Sequence, residues 1–464
     1  DFCLSRGLGD VYKRQILDFI IDNILINASM VLGLVALIGL VLQRKSVSQC
    51  ISGTFKTMMG FMILSAGSSV IVGSLENFST WFSAGLGIDG AVASIEAVLA
   101  VAMQESTIGR DIALVYAGIF VVNILIARFT KLKYVFLNGE APIYMAMISI
   151  LFGVGLCKLG HIPAVILGSI LGGICCVIFP AMAQPFVRKI TGSDDIALGH
   201  FCTLGYILSA FVSKVTGDPS KSTEDTKIST KLSFLQDTYL AVGSVMIPLY
   251  ILMAILAGPE VVAEASGGKN YIVFAIMQGI TFCVGLFILL TGVRLLIAEL
   301  VPAFAGIAKK IVPGARPALD CPVLFTYAPN AIVYGFIFTT VGTIIGMFLW
   351  PLFGLPMVIP GIMSNFFAGG TAAIFANATG GRRGTIIASI VHGLFISLLP
   401  ALVAPYLGQI VVEGLPSLAA YTMTDVDCVS MGLFYSWLLK PVLGLFGICL
   451  LYTSPSPRDR QKSR

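Results

Sequence analysis

The stretch Ile162–Met182, IPAVILGSILGGICCVIFPAM, contains no charged residue and is closed by Arg188-Lys189. A transmembrane helix needs about 20 mainly apolar residues, so this segment reads as a membrane span. Working outward, Ile112–Arg128 and Ile143–Cys157 precede it. Leu240–Ala257, Tyr271–Thr291, Ala331–Phe353, Ile386–Tyr406 and Met431–Leu451 follow, and Ile16–Gln43, closed by Arg44-Lys45, supplies the first. Phe201–Val215 is shorter and partly polar. With hairpin-like pieces included, an all-α membrane protein of about ten or eleven crossings is predicted.

Composition agrees. The chain of 464 residues is 57% hydrophobic and 11% charged, against about 25% charged in soluble domains. No soluble core uses this much apolar surface. The 49 glycines and 21 prolines are too many for a simple long-helix bundle. In lipid, irregular backbone survives only where protein or a water-filled cavity covers it, so re-entrant hairpins and broken helices are expected.

Asp1–Gln15 and Tyr452–Arg464 are polar and aperiodic, and both look like translated sequencing-adaptor read-through. Residues 16–451 are expected to form one membrane-embedded domain. The two tails supply +4 of the net +5, so the remaining body is near neutral and no basic-patch argument for nucleic acid survives. The ten cysteines mostly sit in apolar runs without metal-ligand spacing, as small buried hydrophobes do. No cofactor is expected. Lys/Arg clusters at Arg44-Lys45, Arg128/Lys131/Lys133 and Lys214/Lys221/Lys227/Lys231 suggest cytoplasmic loops.

Several segments are membrane-like yet poor spans. Ser46–Ser69 carries Lys56 and ends in small residues, Gly85–Gln104 carries Glu96, Arg294–Lys310 is amphipathic, and Pro360–Thr379 is glycine-rich. Each half of the chain offers an amphipathic helix, a glycine-rich turn and a short hairpin, which suggests two inverted repeats.

Ionisable residues inside membrane segments are costly and default to functional candidates. Glu96 has no basic neighbour within a helical turn; it is either a hydrogen-bond acceptor for substrate hydroxyls or the solvent-facing end of a helix. Glu140, between Gly139 and Ala141-Pro142, is a site carboxylate or a helix cap, with Tyr144 one turn on along the same face. His200, in DDIALGHFCTLGY, can donate and accept at a hydroxyl, or is an ordinary core histidine. Asp320 lies in a segment broken by Pro317, Pro322 and Pro329, as at a broken-helix site. Arg294, Glu299, His161 and His392 are given structural roles. FANATGGRRG, Phe375–Gly384, is either a contact for a phosphate-bearing partner or a positive-inside anchor. No Walker A run, nucleophile elbow or zincin motif occurs, so catalysis by the chain alone is not expected.

RKSVSQCISGTFKTMMGFMILSAGS, LGH at Leu198–His200, TGVRLLIAELVPAFAGIAKKIVPGARPALDC with YAPNA, and FANATGGRRG resemble the ascorbate-type enzyme IIC permeases of the bacterial phosphotransferase system (PTS), over about Ile16 to Leu415. The resemblance implies a homodimer in the cell membrane, with a substrate-holding core domain moving against a dimer-forming scaffold. It implies phosphorylation of the sugar by a separate enzyme IIB, charged by enzyme IIA. His200 and Asp320 match the family's substrate positions. Glu96, Glu140 and Tyr144 stand where the ascorbate permease places tyrosine, histidine and glutamine. Ascorbate is a monoanion, and two carboxylates would repel it unless protonated or paired, so a neutral sugar or polyol is the better expectation. The competing reading is an ion-coupled transporter using Glu96, Glu140 and Asp320.

Overall fold

The computed structural model of the chain describes residues 28–86, 90–226 and 238–445. The tails 1–15 and 452–464, and parts of the first and last expected spans, lie outside the described residues. In chain order the elements are α1 (Ala28–Leu42), α2 (Val47–Leu86), β1 (Gly90–Ala93), α3 (Ile95–Ala102), α4 (Ser106–Phe129), β2 (Tyr134–Phe136), α5 (Glu140–Ile150, extended by a π-turn over Leu151–Leu156) and α6 (His161–Thr191). There follow β3 (Ala197–Leu198), α7 (Thr203–Thr216), α8 (Thr238–Ala257), α9 (Pro259–Ser266), α10 (Tyr271–Ile311), β4 (Arg316–Leu319), α11 (Pro322–Phe325), α12 (Pro329–Leu349), β5 (Met357–Ile359), α13 (Ile362–Leu407), β6 (Tyr421–Thr422), α14 (Val426–Phe434) and α15 (Lys440–Leu445).

Six helical segments among the described residues are long and apolar enough to cross a membrane, and two shorter apolar helices accompany them. The chain is a multi-pass, predominantly helical membrane protein. Among the described residues the full-length spans are fewer than the ten or eleven crossings expected, and several apolar pieces stop short. The 14 residues of α7 rise only about 21 Å against a hydrocarbon core of about 30 Å. Elsewhere the sequence breaks are not breaks. The small-residue cluster near Gly67 lies inside the 40-residue α2, where Gly67 lets the backbone of α10 at Leu289 come close. Small residues commonly mark such helix crossings in membranes. Likewise Tyr271–Thr291 and the amphipathic Arg294–Lys310 form one 41-residue helix, α10.

Helices α2 and α10 pack against each other and against α8 and α1. Trp81 and Phe78 of α2 meet Tyr250 of α8 edge-on, and Trp81 meets Phe274 of α10. The Tyr250 hydroxyl lies 2.7 Å from Ser74 Oγ, and Lys56 pairs with Glu299 at 3.2 Å.

Most of the other described elements form two copies of one order: strand, short helix, long helix, strand, half-helix, long helix, strand, helix. The first copy runs from β1 to α7 and the second from β4 to α14, with both half-helix and long helix of the second copy contained in α13. The strands form two three-stranded parallel sheets in the orders β5-β1-β6 and β2-β4-β3. Exchanging β1 with β4, β2 with β5 and β3 with β6 turns one sheet into the other. The register survives the exchange: Gly90↔Met357 becomes Arg316↔Tyr134, and Ala93↔Thr422 becomes Leu319↔Leu198. Each sheet therefore takes one strand from one repeat and two from the other. The strands satisfy backbone groups that break the helices, which lipid cannot do.

The copies run oppositely through the molecule. One face gathers Lys133 with Arg316 (Arg316 N–H to Lys133 O, 2.7 Å), Asp194 bridging Arg188 and Arg316, and Glu224 against Asn330. Phe186, Phe211 and Phe375 pack together near it. The other face gathers Cys157 with Tyr435, Lys158 with Val411, and Trp437 with Tyr406. Helix α4 starts near the second face, where Glu105 abuts Gly414, and ends at the first. Helix α12 starts at the first, its leading N–H groups at Asn330 and Ala331 bonding the Glu224 carboxylate at 3.1 and 3.0 Å. Its far end reaches Ser397 through Trp350.

Candidate functional site

Each strand ends inside the molecule, and the residues just beyond those ends converge. Glu96, Glu140, Tyr144, His200 and Asp320 all line one cavity of about 230 Å³, together with Arg294 and Leu290 of α10, Cys321 to Pro322, Met363, Ser364, Phe367, Ala368, Thr424 and Asp425. The structure brings together all five residues singled out in the sequence. Four pairs of positions matched by the exchange line it from opposite sides: Glu96 with Pro322, Glu140 with Met363, Tyr144 with Phe367, and His200 with Thr424. The cavity thus sits where the repeats meet.

Each side chain is held by local structure. Ser94 caps α3, its Oγ accepting from Ala97 N–H at 3.2 Å and donating to Glu96 Oε2 at 2.7 Å. Glu96 is buried, so the solvent-facing helix end is not its setting. Glu140 is not a cap either: the start of α5 is satisfied by Asn138, whose Oδ1 accepts from Glu140 N–H at 2.8 Å. The Asn138 amide also donates to Gly199 O at 2.8 Å and to Asp320 Oδ1 at 2.9 Å. Asp320 Oδ1 further accepts from Cys321 N–H at 2.7 Å. The His200 Nδ1 lies 2.7 Å from the Tyr206 hydroxyl, which leaves Nε2 without that bond.

Three residues at or beside the cavity carry no such signal in the sequence. Arg294, given a structural role by the sequence, lines the cavity, and Glu299 pairs with Lys56. Asn138 is a buried hub joining the ends of three strands. Asp425 belongs to TMTDVDC, which carries no distinctive pattern. His161 pairs with Asp111 on α4, away from the cavity.

His200, Asp320 and Cys321 bring a ring nitrogen, a carboxylate oxygen and a thiol within 4.8 Å of one another. Asp320 is already engaged by Asn138 and Cys321 N–H, and the group reads as a hydrogen-bonded cluster. Carboxylates, an imidazole and a phenol around a small cavity can together accept and donate many hydrogen bonds to a compact polyhydroxyl ligand.

These features define a polytopic membrane protein built from two opposed repeats around a polar cavity. The chain belongs to the EIIC-GAT family, the PTS system sugar-specific permease component, whose model matches residues 23–419. It is also 24% identical to a protein of Mycoplasma pneumoniae (strain ATCC 29342 / M129 / Subtype 1) named "Ascorbate-specific PTS system EIIC component", over 82% of this chain and 66% of that relative. The chain thus spans slightly less than two thirds of that relative's length.

Proposed function

We propose that this chain is the membrane permease component, enzyme IIC, of a bacterial PTS. It carries a compact uncharged sugar or polyol across the inner membrane, and a separate enzyme IIB, charged by enzyme IIA, phosphorylates the cargo. The observation that carries the substrate reading is the cavity itself, where Glu96, Glu140, Asp320 and Asp425 surround the space with Arg294 as the lining guanidinium. Carboxyl oxygens accept hydrogen bonds from sugar hydroxyls. An anion such as ascorbate meets like charge wherever these acids are ionised, which disfavours it. The relative's name points to ascorbate; the carboxylates point to a neutral cargo. Family membership favours group translocation over ion coupling.

Alternating access follows naturally from a cavity between opposed repeats, with the repeats forming the transport core and the α2–α10 pair, joined by α1 and α8, serving as scaffold in a homodimer. The first face, rich in Lys and Arg at Lys133, Arg188, Lys214, Lys221, Arg382 and Arg383, is the cytoplasmic one by the positive-inside rule.

Uptake of labelled polyols, pentoses and ascorbate in cells supplied with the cognate IIA and IIB tests this. A neutral sugar or polyol should enter in a phosphoenolpyruvate-dependent way, and Glu96→Gln and Asp320→Asn should each cut its uptake about tenfold, the scale of one charged hydrogen bond. Saturable ascorbate uptake at micromolar concentration would sink the neutral-cargo reading. Abolition of uptake by a protonophore with phosphoenolpyruvate abundant would favour ion coupling.

A further inference from the structure

The two repeats match position for position around the cavity, so the places where they differ in chemistry show what each repeat adds. His200 and Thr424 are mates in the register, each two residues past its strand. The next pair is Phe201 and Asp425. Phe201 is fully buried and stacks on Phe136 at 5.1 Å. Its mate is a carboxylate that lines the cavity, with 7% of its surface exposed. An aromatic packing position has thus become an acid facing the site.

The plainer explanation of an acid at this place is a helix cap, since Asp425 stands immediately before α14. The structure assigns that work elsewhere. Asp425 makes no side-chain capping bond. Asp427, two residues on, accepts instead from Thr203 and Leu204 N–H at 2.8 and 3.1 Å, capping α7 of the other repeat. Asp427 N–H returns a bond to Phe201 O at 3.0 Å. This exchange fixes the hairpin carrying Asp425 against the hairpin carrying His200. None of the hydrogen bonds or ion pairs described for the chain engages the Asp425 carboxylate. A buried acid without a partner is costly, and a ligand that brings hydroxyl donors supplies the missing bonds.

We infer that Asp425 is a substrate-binding group that receives hydroxyl hydrogen bonds from an uncharged polyhydroxyl ligand and excludes sugar acids from the cavity. The inference rests on the proposed neutral-cargo permease and names the residue of the second repeat that enforces it. Asp427 is a positioning residue, which acts through the α7–α14 contact and does not touch the ligand.

The test uses purified full-length protein in detergent and ligand-induced thermal stabilisation. The panel is sorbitol, mannitol, galactitol, xylitol, gluconate and ascorbate, and the neutral member that stabilises the wild type most becomes the probe. Asp425→Asn keeps the shape and removes the charge. It is expected to raise the Kd for the probe about tenfold or more, the loss of one charged hydrogen bond, while the affinity for gluconate or ascorbate improves. Asp425→Glu, which keeps the charge, should continue to exclude both anions; it also serves if the asparagine variant does not fold. A merely structural residue would lower the ligand-free Tm without reversing the preference between neutral and anionic ligands. Unchanged probe affinity and anion exclusion in Asp425→Asn, with Glu96→Gln and Asp320→Asn impaired, would overturn the role of Asp425 and leave the cavity reading standing. No stabilisation of the wild type by any neutral member, or normal probe binding in all three variants, would overturn the neutral-cargo reading and this inference with it.

Discussion

Two residues past β2 stands Asn138; at the matching place past β5 stands Gly361. Both positions close a junction where a strand gives way to a helix at the cavity. In the first repeat a side chain does this, with Asn138 spanning from the end of β3 at Gly199 to the end of β4 at Asp320 and to the start of α5. In the second repeat backbone meets backbone directly. A Cβ on Gly361 would stand 2.5 Å from Ala93 O and 2.6 Å from Thr424 Cγ2. One sheet is bridged and the other is close-packed, although strand order and register are the same. The lesson is that the repeat conserves hydrogen-bond geometry rather than residue type: each buried backbone group needs a partner, and the two copies supply it differently.

The turns joining the half-helix and long helix of each repeat differ in the same way. The first repeat uses Cys157–Gly160 between the π-turn and α6; the second turns within α13 at the single residue Gly381, with φ 60° and ψ −162°. That conformation is open essentially to glycine alone. A Cβ there would also run into the carbonyl oxygens of Asp218 and Lys221. Gly381→Ala is therefore expected to give the largest effect, a loss of about 3–5 kcal/mol from backbone strain plus overpacking, read as failure to purify as a monodisperse species or a large fall in Tm. A Tm near wild type would show that the tight turn can relax as the longer one does.

Asn138→Ala should come next. It leaves Gly199 O and the N–H of Glu140 without their bonds and frees Asp320, at a cost of about 2–4 kcal/mol by the penalty for buried unpaired groups. Because the same side chain orients Asp320, ligand affinity should fall as well as Tm. Loss of Tm with full affinity would mean that Cys321 N–H alone holds the carboxylate. Gly361→Ala in the other sheet should cost about 1–3 kcal/mol as an overpacked position and disturb Thr424 beside the cavity. The two variants together ask whether the bridged or the close-packed sheet tolerates damage better.

Much of the candidate site is legible in the sequence because its residues violate the solvent. Glu96, Glu140 and His200 sit in apolar runs, and Asp320 sits among three prolines; a charge or a break inside a membrane segment is expensive enough to announce itself. Asp425 escaped notice because TMTDVDC is polar throughout, so one more acid raises no contrast, and only the register of β6 places it in the cavity. Asn138 is an ordinary loop residue until Gly199 and Asp320 arrive from distant parts of the chain. The strands have two to four residues, too short for a period-2 pattern to be seen. The sequence suggests breaks inside long helices because small residues such as Gly67 signal a turn in water and a close crossing in a membrane. The opposed repeats were visible only as similar hairpin segments, since the likeness lies in hydrogen bonds and not in side chains.

The smallest expected effect belongs to the tolerant turn. Lys158 adopts φ 56°, which costs a non-glycine residue about 1–2 kcal/mol, and its exposed Nζ donates to Val411 O at 3.1 Å. Lys158→Gly removes the strain. It also loses an exposed hydrogen bond and gives the unfolded chain more freedom, which offsets about 0.4–1 kcal/mol. The terms nearly cancel, so stability should stay within about 0.5 kcal/mol of wild type. Lys158→Ala keeps the strain and loses the bond, and should fall slightly below both. If Lys158→Gly were as damaging as Gly381→Ala, the turn of the first repeat would be as constrained as its mate, and the contrast between the two solutions would vanish. If both variants fell well below wild type, Val411 would have to depend on the lysine more than the exposed position of that bond implies.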